Sequence, residues 1–535
     1  MEIDCVPFQK TGFFSKLIGD YLDGNESLKP FYNRFPTLEN FKKQLEEKSK
    51  NYNASNRKVL TDALIGQNAQ ITISEKTKKN LKALKEENTF TVVTGHQLNL
   101  FTGPLYFLYK IISTIKLCET LKQHHPNHTF VPVYWLASED HDFDEINFFN
   151  FQGKKQQWNR QSGGAVGRMN TRGLDKVYEV LVAQLGISKN AEELEILFKQ
   201  AYLEHQNLTD ATRFLVNNLF GEYGLVIVDG DDTQLKQLLI PFIKKDIFEQ
   251  IAYKKVTKSI EKLSAISKDY KIQVTPRKIN YFYLGKGLRE RIVQREDEFV
   301  VNNTSITFTL EELEHEIETH PEYFSPNVIA RPLYQEIILP NLCYIGGGGE
   351  LAYWLELKDY FKAMGVTFPM LQLRNSALIL TEKQLEKIKK LNLEASDLFL
   401  KQHSLINKKI RQISNIDIDF YPQKKLLEEQ FKHLYLLAEQ TDKSFLGAVK
   451  AQEVKQKKGL ERLEKRLLKA QKIKLKDQVI RLTELQNELF PNYSLQERQL
   501  NFSELYLKHG KNLIPKLMNA FSDISPSFSV LSLGN

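Results

Sequence analysis

Two short strings of this chain combine residue types that could do chemistry. The first is Thr94-Gly95-His96-Gln97, which ends the β-branched run that begins at Phe90. Gly103 and Pro104 follow and open a long apolar-periodic helix. A glycine at a strand end lets backbone approach a ligand, and free N–H groups at a helix start favour an anion. Pro104 suits the first helical position, where its missing N–H would be unpaired anyway. His96 could hydrogen-bond a phosphate or a developing anion; the bland alternative is a tight turn with a structural histidine. The second string is Ser138-Glu139-Asp140-His141-Asp142, followed by Asp144 and Glu145, just past a buried apolar run. Packed like charges need either solvent or a cation, which could be a metal or the ammonium of an amino substrate. No second histidine stands at zinc-ligand spacing, so no metal is expected. The bland alternative here is a solvated acidic loop.

Two further positions belong with these. Gly346 and Gly347 begin a run of glycines to Gly349, before Glu350, and such a run can form an anion nest. It is not a Walker loop, because no Gly-Lys-Ser/Thr follows. Arg374-Asn375-Ser376 follows another apolar run, and an arginine there can fork onto a carboxylate or phosphate. Cys343 lies in an apolar strand with no evident activating base and reads as a core residue.

The elements that must position these residues alternate between strand and helix. Strands are expected at Phe90 to Thr94, at the run ending in Ala137, at Tyr223 to Asp229, at Asn341 to Ile345 and at Phe368 to Leu373. Amphipathic helices between them argue for an α/β fold with a mostly parallel sheet, whose ligand crevice lies at the carboxyl ends of the strands. Two segments, about 153–222 and 254–326, break the alternation and read as insertions into a core spanning 1–380. After residue 380 glycine and proline almost vanish, and Leu460, Leu463, Leu467 and Ala470 follow coiled-coil spacing. The expectation is an antiparallel helical arm over 381–490, with one limb from Glu382 to Ile413 and the other from Gln423 to Phe490. Residues 491–535 then form a return segment. An arm with limbs of unequal length leaves apolar seam uncovered, which predicts a homodimer.

Composition bounds the function. At 535 residues the chain is too long for one ordinary core. It is 41% hydrophobic and 26% charged, as soluble globular proteins are. No apolar run approaches the roughly 20 residues that cross a bilayer. The start lacks the order of a signal peptide, and three unclustered cysteines exclude a disulfide scaffold. A cytoplasmic enzyme fits. The net charge of +8 is concentrated on the predicted arm, so nucleic-acid binding is not expected.

The strings TGHQLNLFTGPLY, PVYWLASEDHDFDEIN, SPNVIARPLYQEIILP, YIGGGGELAYWLELK, LQLRNSA and LQERQLNF closely resemble the bacillithiol biosynthesis cysteine-adding enzymes, a family of cysteine ligases. The match in order and spacing runs from about Thr89 to Phe502. The resemblance implies a Rossmann-like core related to nucleotidyltransferases and class I aminoacyl-tRNA synthetases, with inserted connecting domains, a C-terminal α-helical coiled-coil arm and a homodimer. It implies joining of L-cysteine to the amino group of glucosaminyl malate, the last step of bacillithiol synthesis. Amide formation from a carboxylate is uphill in water, so ATP is the expected activator. In that scheme His96, Asp140, His141 and Asp142 are the catalytic candidates. Thr94, Gly95, Gln97, Gly103, Ser138, Glu139, Gly346, Gly347, Arg374, Asn375 and Ser376 would bind substrate, and Gln496 and Arg498 nucleotide. In many members the position of His96 is Gln, which favours a hydrogen-bonding role over imidazole chemistry. The alternative is a nucleotidyltransferase or synthetase-like enzyme with another acceptor, yet GHQL and RNSA are only distant shadows of the HIGH and KMSKS signatures.

Overall fold

The computed structural model describes residues 3–522, 524 and 527–534. The chain forms two compact units. One comprises residues 1–9, 13–379 and 495–535, and the other residues 10–12 and 380–494.

The larger unit is built on five parallel strands: β1 (Thr89–His96), β2 (Thr129–Leu136), β3 (Val226–Asp229), β4 (Asn341–Gly346) and β5 (Met370–Leu373). These are the five strands expected from sequence. Their residues are buried along almost their whole length, as in sheets covered on both faces. The order across the sheet is β5-β4-β1-β2-β3. The chain thus moves outward from β1 through β2 to β3 and then crosses to the other side of β1, making β1/β4 the topological switch point. Register brings the strand ends level, with His96 beside Leu136, Leu136 beside Asp229 and Gly346 beside Leu373. Helix Tyr106–His124 makes the β1–β2 crossover and is buried almost all round, including Lys110.

The insertion between β2 and β3 opens with a hairpin, Phe148–Phe151 with Lys154–Gln157, and continues as helices Leu174–Leu185, Lys189–Leu203 and Leu208–Phe220. It starts a few residues before the expected boundary, because the hairpin turn itself falls at Gln152-Gly153. The insertion between β3 and β4 contains a five-stranded antiparallel sheet, in which Tyr281–Gly285 pairs with Leu288–Arg295. Residue 254, the expected start of this insertion, lies inside helix Ile251–Ile266. Strands Ile3–Pro7, Ser527–Ser532 and Ala377–Leu380 form a separate three-stranded sheet that joins the two ends of the chain.

The smaller unit is helical, and its limbs differ from those expected. The long limb is not continuous: Tyr421–Ala438 ends, and Lys443–Lys474 begins after a turn. Asp442 stops the first helix from running on, because its carboxylate caps the second by accepting from the N–H groups of Ser444 (2.6 Å) and Phe445 (3.2 Å). These two helices pair with each other through Leu427, Phe431, Ala438 and Val449, with Leu460 alongside. The buried stripe then passes through Glu464, held by Arg411 and Lys424, to Leu468 and Gln471. That rotation leaves Leu463 outside the seam, 52% exposed. Among the described residues no helix is long and apolar enough to cross a membrane.

Candidate active site

The strand-end edge carries positive charge at the switch point. Lys110 is buried in its helix and reaches back to the end of β1, donating to the Gly95 carbonyl (2.7 Å) and pairing with Glu350 (2.6 Å). Burial pulls the Lys110 ammonium below its ordinary pKa, opposed by the Glu350 charge. Burial likewise resists ionisation of Glu350, but Lys110, the Gly347 amide (2.8 Å) and the Tyr344 hydroxyl (2.8 Å) hold it below the usual carboxylate range. This pair is therefore internally neutral. Arg331 is not neutralised. Its guanidinium donates to Gln335 (3.1 Å) and to the Tyr353 hydroxyl (3.3 Å), rests about 6 Å from the Trp135 and Tyr344 ring centres, and forms no ion pair among the described residues.

Glycine leaves this cation accessible from the backbone side. A Cβ on Gly95 would lie 3.5 Å from the Tyr344 hydroxyl and 3.8 Å from Arg331. On the facing strand, a Cβ on Gly347 would lie 3.4 Å from Glu350 and 3.8 Å from Nε of Arg374. Two shielded nitrogens here have no hydrogen-bond partner among the described residues: Nε2 of His96 and Nε of Arg374. The His96 ring packs on Tyr106 and Phe107. Burial, with Lys110 and Arg374 nearby, holds its pKa well below the ordinary value, so the imidazole stays neutral.

The other half of the edge, beyond β2 and β3, is acidic. Asp140 accepts from Gln97 (2.9 Å) and from the His141 amide (2.8 Å), with Arg289 at 3.9 Å. Burial opposes its ionisation, yet these donors and the Arg289 charge hold it well below the usual carboxylate range. Arg289 comes from the second insertion, lies over Phe282 and donates to Nδ1 of His141 (2.6 Å). That bond makes Nδ1 an acceptor, so a neutral His141 carries its proton on Nε2 and serves as a donor. Asp142 is exposed. Ligand atoms of Asp140, His141 and Asp142 converge within 4.8 Å, but the Arg289 guanidinium already supplies the positive charge a metal would bring. At the end of β3, burial and neighbouring Asp231 push Asp229 up to about 6, while Ser138 donates to it.

Several expected binding residues have structural partners instead. Thr94 cross-links β1 to β4 by donating to the Ile345 carbonyl (2.8 Å). Gly103 lies in a turn at φ +62°, where a Cβ would strike Asn99 at 2.6 Å, and its carbonyl accepts from Asn501. The helix start beyond it is closed too, because the Leu105 N–H is bonded to the Leu500 carbonyl (2.7 Å). Glu139 forms a buried pair with Lys236. Gly346 is packed against Leu351 and Tyr344 and accepts from the Arg374 amide (2.9 Å). Arg374 is buried and paired with Glu497 (2.7 Å), Asn375 is bonded to Ser113, and Ser376 accepts from Arg374. The Gln496 amide bonds both backbone groups of Ile379. Arg498 is exposed above Tyr106. His96, Gln97, Gly347, Asp140, His141 and Asp142 thus line the strand-end edge. Sequence reasoning missed Lys110, Arg331, Arg289 and Asp229. A lone lysine inside the apolar helix YFLYKIISTI was the available signal for the first.

With this geometry in place, the relatives are informative. Residues 1–375 match the family described as bacillithiol biosynthesis BshC, N-terminal Rossmann-like domain, and residues 377–533 its C-terminal coiled-coil domain. The chain belongs to the bacillithiol biosynthesis BshC family. It is 57% identical over 533 residues to a protein of Flavobacterium johnsoniae named "Putative cysteine ligase BshC", covering 100% of both chains. Identity is 56% to the protein of the same name from Christiangramia forsetii, again over 100% of both, and 28% to that of Bacillus cereus strain B4264, over 98% of both. The Rossmann-like core and coiled-coil domain expected from sequence are those of the family.

Proposed function

We propose that this protein is the ligase that joins the carboxyl group of L-cysteine to the amino group of glucosaminyl malate, with ATP as co-reactant. The observation that carries this reading is the division of one strand-end edge into an unneutralised cation beside paired glycines and an ionised carboxylate beyond them. Both reactants bear amine and carboxylate together, so each needs both signs of charge. The residues at the switch point fit a phosphate-bearing co-reactant: glycine backbone on two adjacent strands, a free guanidinium and two shielded nitrogens without partners. Arg331, Gly95, Gly347 and neutral His96 would hold it. ATP would supply the free energy that makes a carboxylate an acylating group.

The chain's own residues do the rest. Asp140, held ionised, anchors an ammonium and is too weak a base to deprotonate it. His141, fixed by Arg289, donates from Nε2. Asp229, pushed up to about 6, has a proton affinity that suits it to accept the proton the amine must lose. The amide forms as the C–N bond is made and the activated carboxyl oxygen departs with its leaving group. The test is reconstitution: purified protein with L-cysteine, glucosaminyl malate and ATP, followed by mass spectrometry. The cysteinyl amide is expected only when all three are present. No amide, or an amide on a different acceptor, rejects the reading and favours the nucleotidyltransferase-like alternative.

The helical unit supports a homodimer. Leu426, Leu436, Leu437, Phe445 and Leu463 are exposed on its paired helices, more apolar surface than a solvated hairpin needs. A second copy would cover it. Light scattering at micromolar concentration should give a dimer for the native protein and a monomer for Leu463→Asp/Leu467→Asp. A monomeric native protein rejects the assignment.

A further inference from the structure

A cavity of about 630 Å³ opens between the two insertions, away from the switch point. One wall is the segment around Gly163 to Asn170, and the other is the hairpin turn of Tyr281–Gly285 and Leu288–Arg295. Three cations line it, Arg160, Arg168 and Lys286, and no carboxylate residue does. Arg168 is bonded through two nitrogens to Asp231 (2.6 Å each). Arg160 donates to the Asn170 carbonyl (2.5 Å) and side chain (2.9 Å), and neither it nor Lys286 forms an ion pair among the described residues. Lys286 is exposed and Arg160 half-buried, and together they give the cavity two cations that an anionic ligand could bridge. The volume falls within the ordinary range for small-ligand sites, roughly 300–1,000 Å³.

The segments that carry the two walls are tied to the acidic half of the strand-end edge by three direct bonds. The Val166 amide donates to the Asp140 carbonyl (2.7 Å), the Gly167 amide to the Ser138 carbonyl (2.8 Å), and Arg289 on the hairpin to His141. Where the two walls meet, backbone touches backbone: a Cβ on Gly164 would lie 3.0 Å from Gly287, and Gly164 has φ +72°. Glycine at this meeting point lets the two walls touch. A basic cavity thus lies next to Asp140 in the chain's own bonding, beside the segment 163–170 whose amides hold the Asp140 and Ser138 carbonyls.

We infer that this cavity is an anion subsite that takes the dicarboxylate end of the acceptor, the malyl group, while the amine lies at Asp140. The inference rests on the proposed ligase reading for the identity of the acceptor, but the chemistry of the chamber stands apart from it. L-Malate is the probe. Isothermal titration of the whole protein should show malate binding that weakens about tenfold or more in Arg160→Ala/Lys286→Ala and returns in Arg160→Lys/Lys286→Arg, since the lost contacts are charge-assisted. In turnover, the alanine variant should raise KM for glucosaminyl malate about tenfold while leaving kcat and KM for cysteine within about twofold. Equal malate binding by all three proteins, or binding by none, overturns the inference, as does an unchanged KM for the acceptor. Charge-dependent malate binding in a native protein that forms no amide would keep the subsite and reject the ligase. Amide formation with an unchanged acceptor KM would keep the ligase and reject the subsite.

Discussion

The switch-point half of the sheet edge and the β2/β3 half carry charge in opposite ways. At the switch point the carboxylate Glu350 is cancelled by Lys110, and what remains is the cation Arg331 beside glycine backbone. Beyond β2 the cations Lys236 and Arg168 are tied to Glu139 and Asp231, and what remains is Arg289 set against two carboxylates, ionised Asp140 and exposed Asp142, a net negative charge. In each half, ion pairs hold the local frame and the excess has one sign, positive at the switch point and negative beyond β2. Counting acids in the sequence string would have misjudged this, since Glu139 is in the string yet plays no part at the surface. Position in the pairing scheme, more than residue type, decides which charge is offered.

The largest effects should come from Arg331 and Asp140. Arg331→Gln keeps a donor for Gln335 and Tyr353 but removes the cation. Turnover should fall about a hundredfold or more, as when a preorganised charge is deleted. Thermal unfolding should hardly move. Near-normal turnover would show that the switch-point charge is not used. Asp140→Asn should lose turnover to a similar extent, with stability at pH 7 changed by about 1 kcal/mol. The depressed pKa of Asp140 means that its charged form stabilises the fold above the unfolded value and that this is lost as pH falls through the folded one. The acid limb of the native unfolding curve should therefore be shallower in the variant. An identical acid limb would break the link between this carboxylate and its donors.

His96 should matter less. It is neutral throughout the physiological range, so it offers hydrogen bonds and shape rather than a titrating charge. His96→Gln should keep turnover within about tenfold, a loss the size of one neutral hydrogen bond, and should leave the pH profile unshifted. His96→Leu should do worse. A pH–rate limb that disappears in His96→Gln would show that the imidazole titrates during turnover.

The smallest effect concerns Asp229. Its pKa is raised to about 6 by burial and Asp231, so any stability it lends is fully present below the unfolded value near 3.8 and is lost as pH rises through about 6. Asp229→Asn keeps an acceptor for Ser138 and the Asp231 amide. Its melting temperature should fall less than that of the native protein between pH 4 and 7. Parallel curves would remove the raised pKa, and with it the proton-accepting role.

The five strands were legible because short apolar runs alternate with amphipathic helices, and a parallel sheet leaves that pattern in local sequence. The placement of Gly95, Asp140 and His141 at strand ends was legible for the same reason. Arg289 was not, since it reaches His141 from 148 residues away, and Arg331 was not, since its approach to Gly95 across the sheet leaves no mark in local spacing. Arg374, Asn375 and Gln496 looked functional for the converse reason: their partners Glu497, Ser113 and Ile379 are 123, 262 and 117 residues away. The break at Asp442 was missed because a heptad pattern tolerates a turn that a single cap residue imposes. The terminal strands were missed because, among the described residues, Ile3–Pro7 and Ser527–Ser532 pair only with each other and Ala377–Leu380.

The division of charge across one sheet edge is tested most directly by a crystal structure of the protein with L-cysteine, glucosaminyl malate and a non-hydrolysable ATP analogue. The account predicts phosphate density beside Gly95, Gly347 and Arg331, and the amino group of the sugar within hydrogen-bonding distance of Asp140. Phosphates seated at the acidic half, or the amine seated against Arg331, would contradict it.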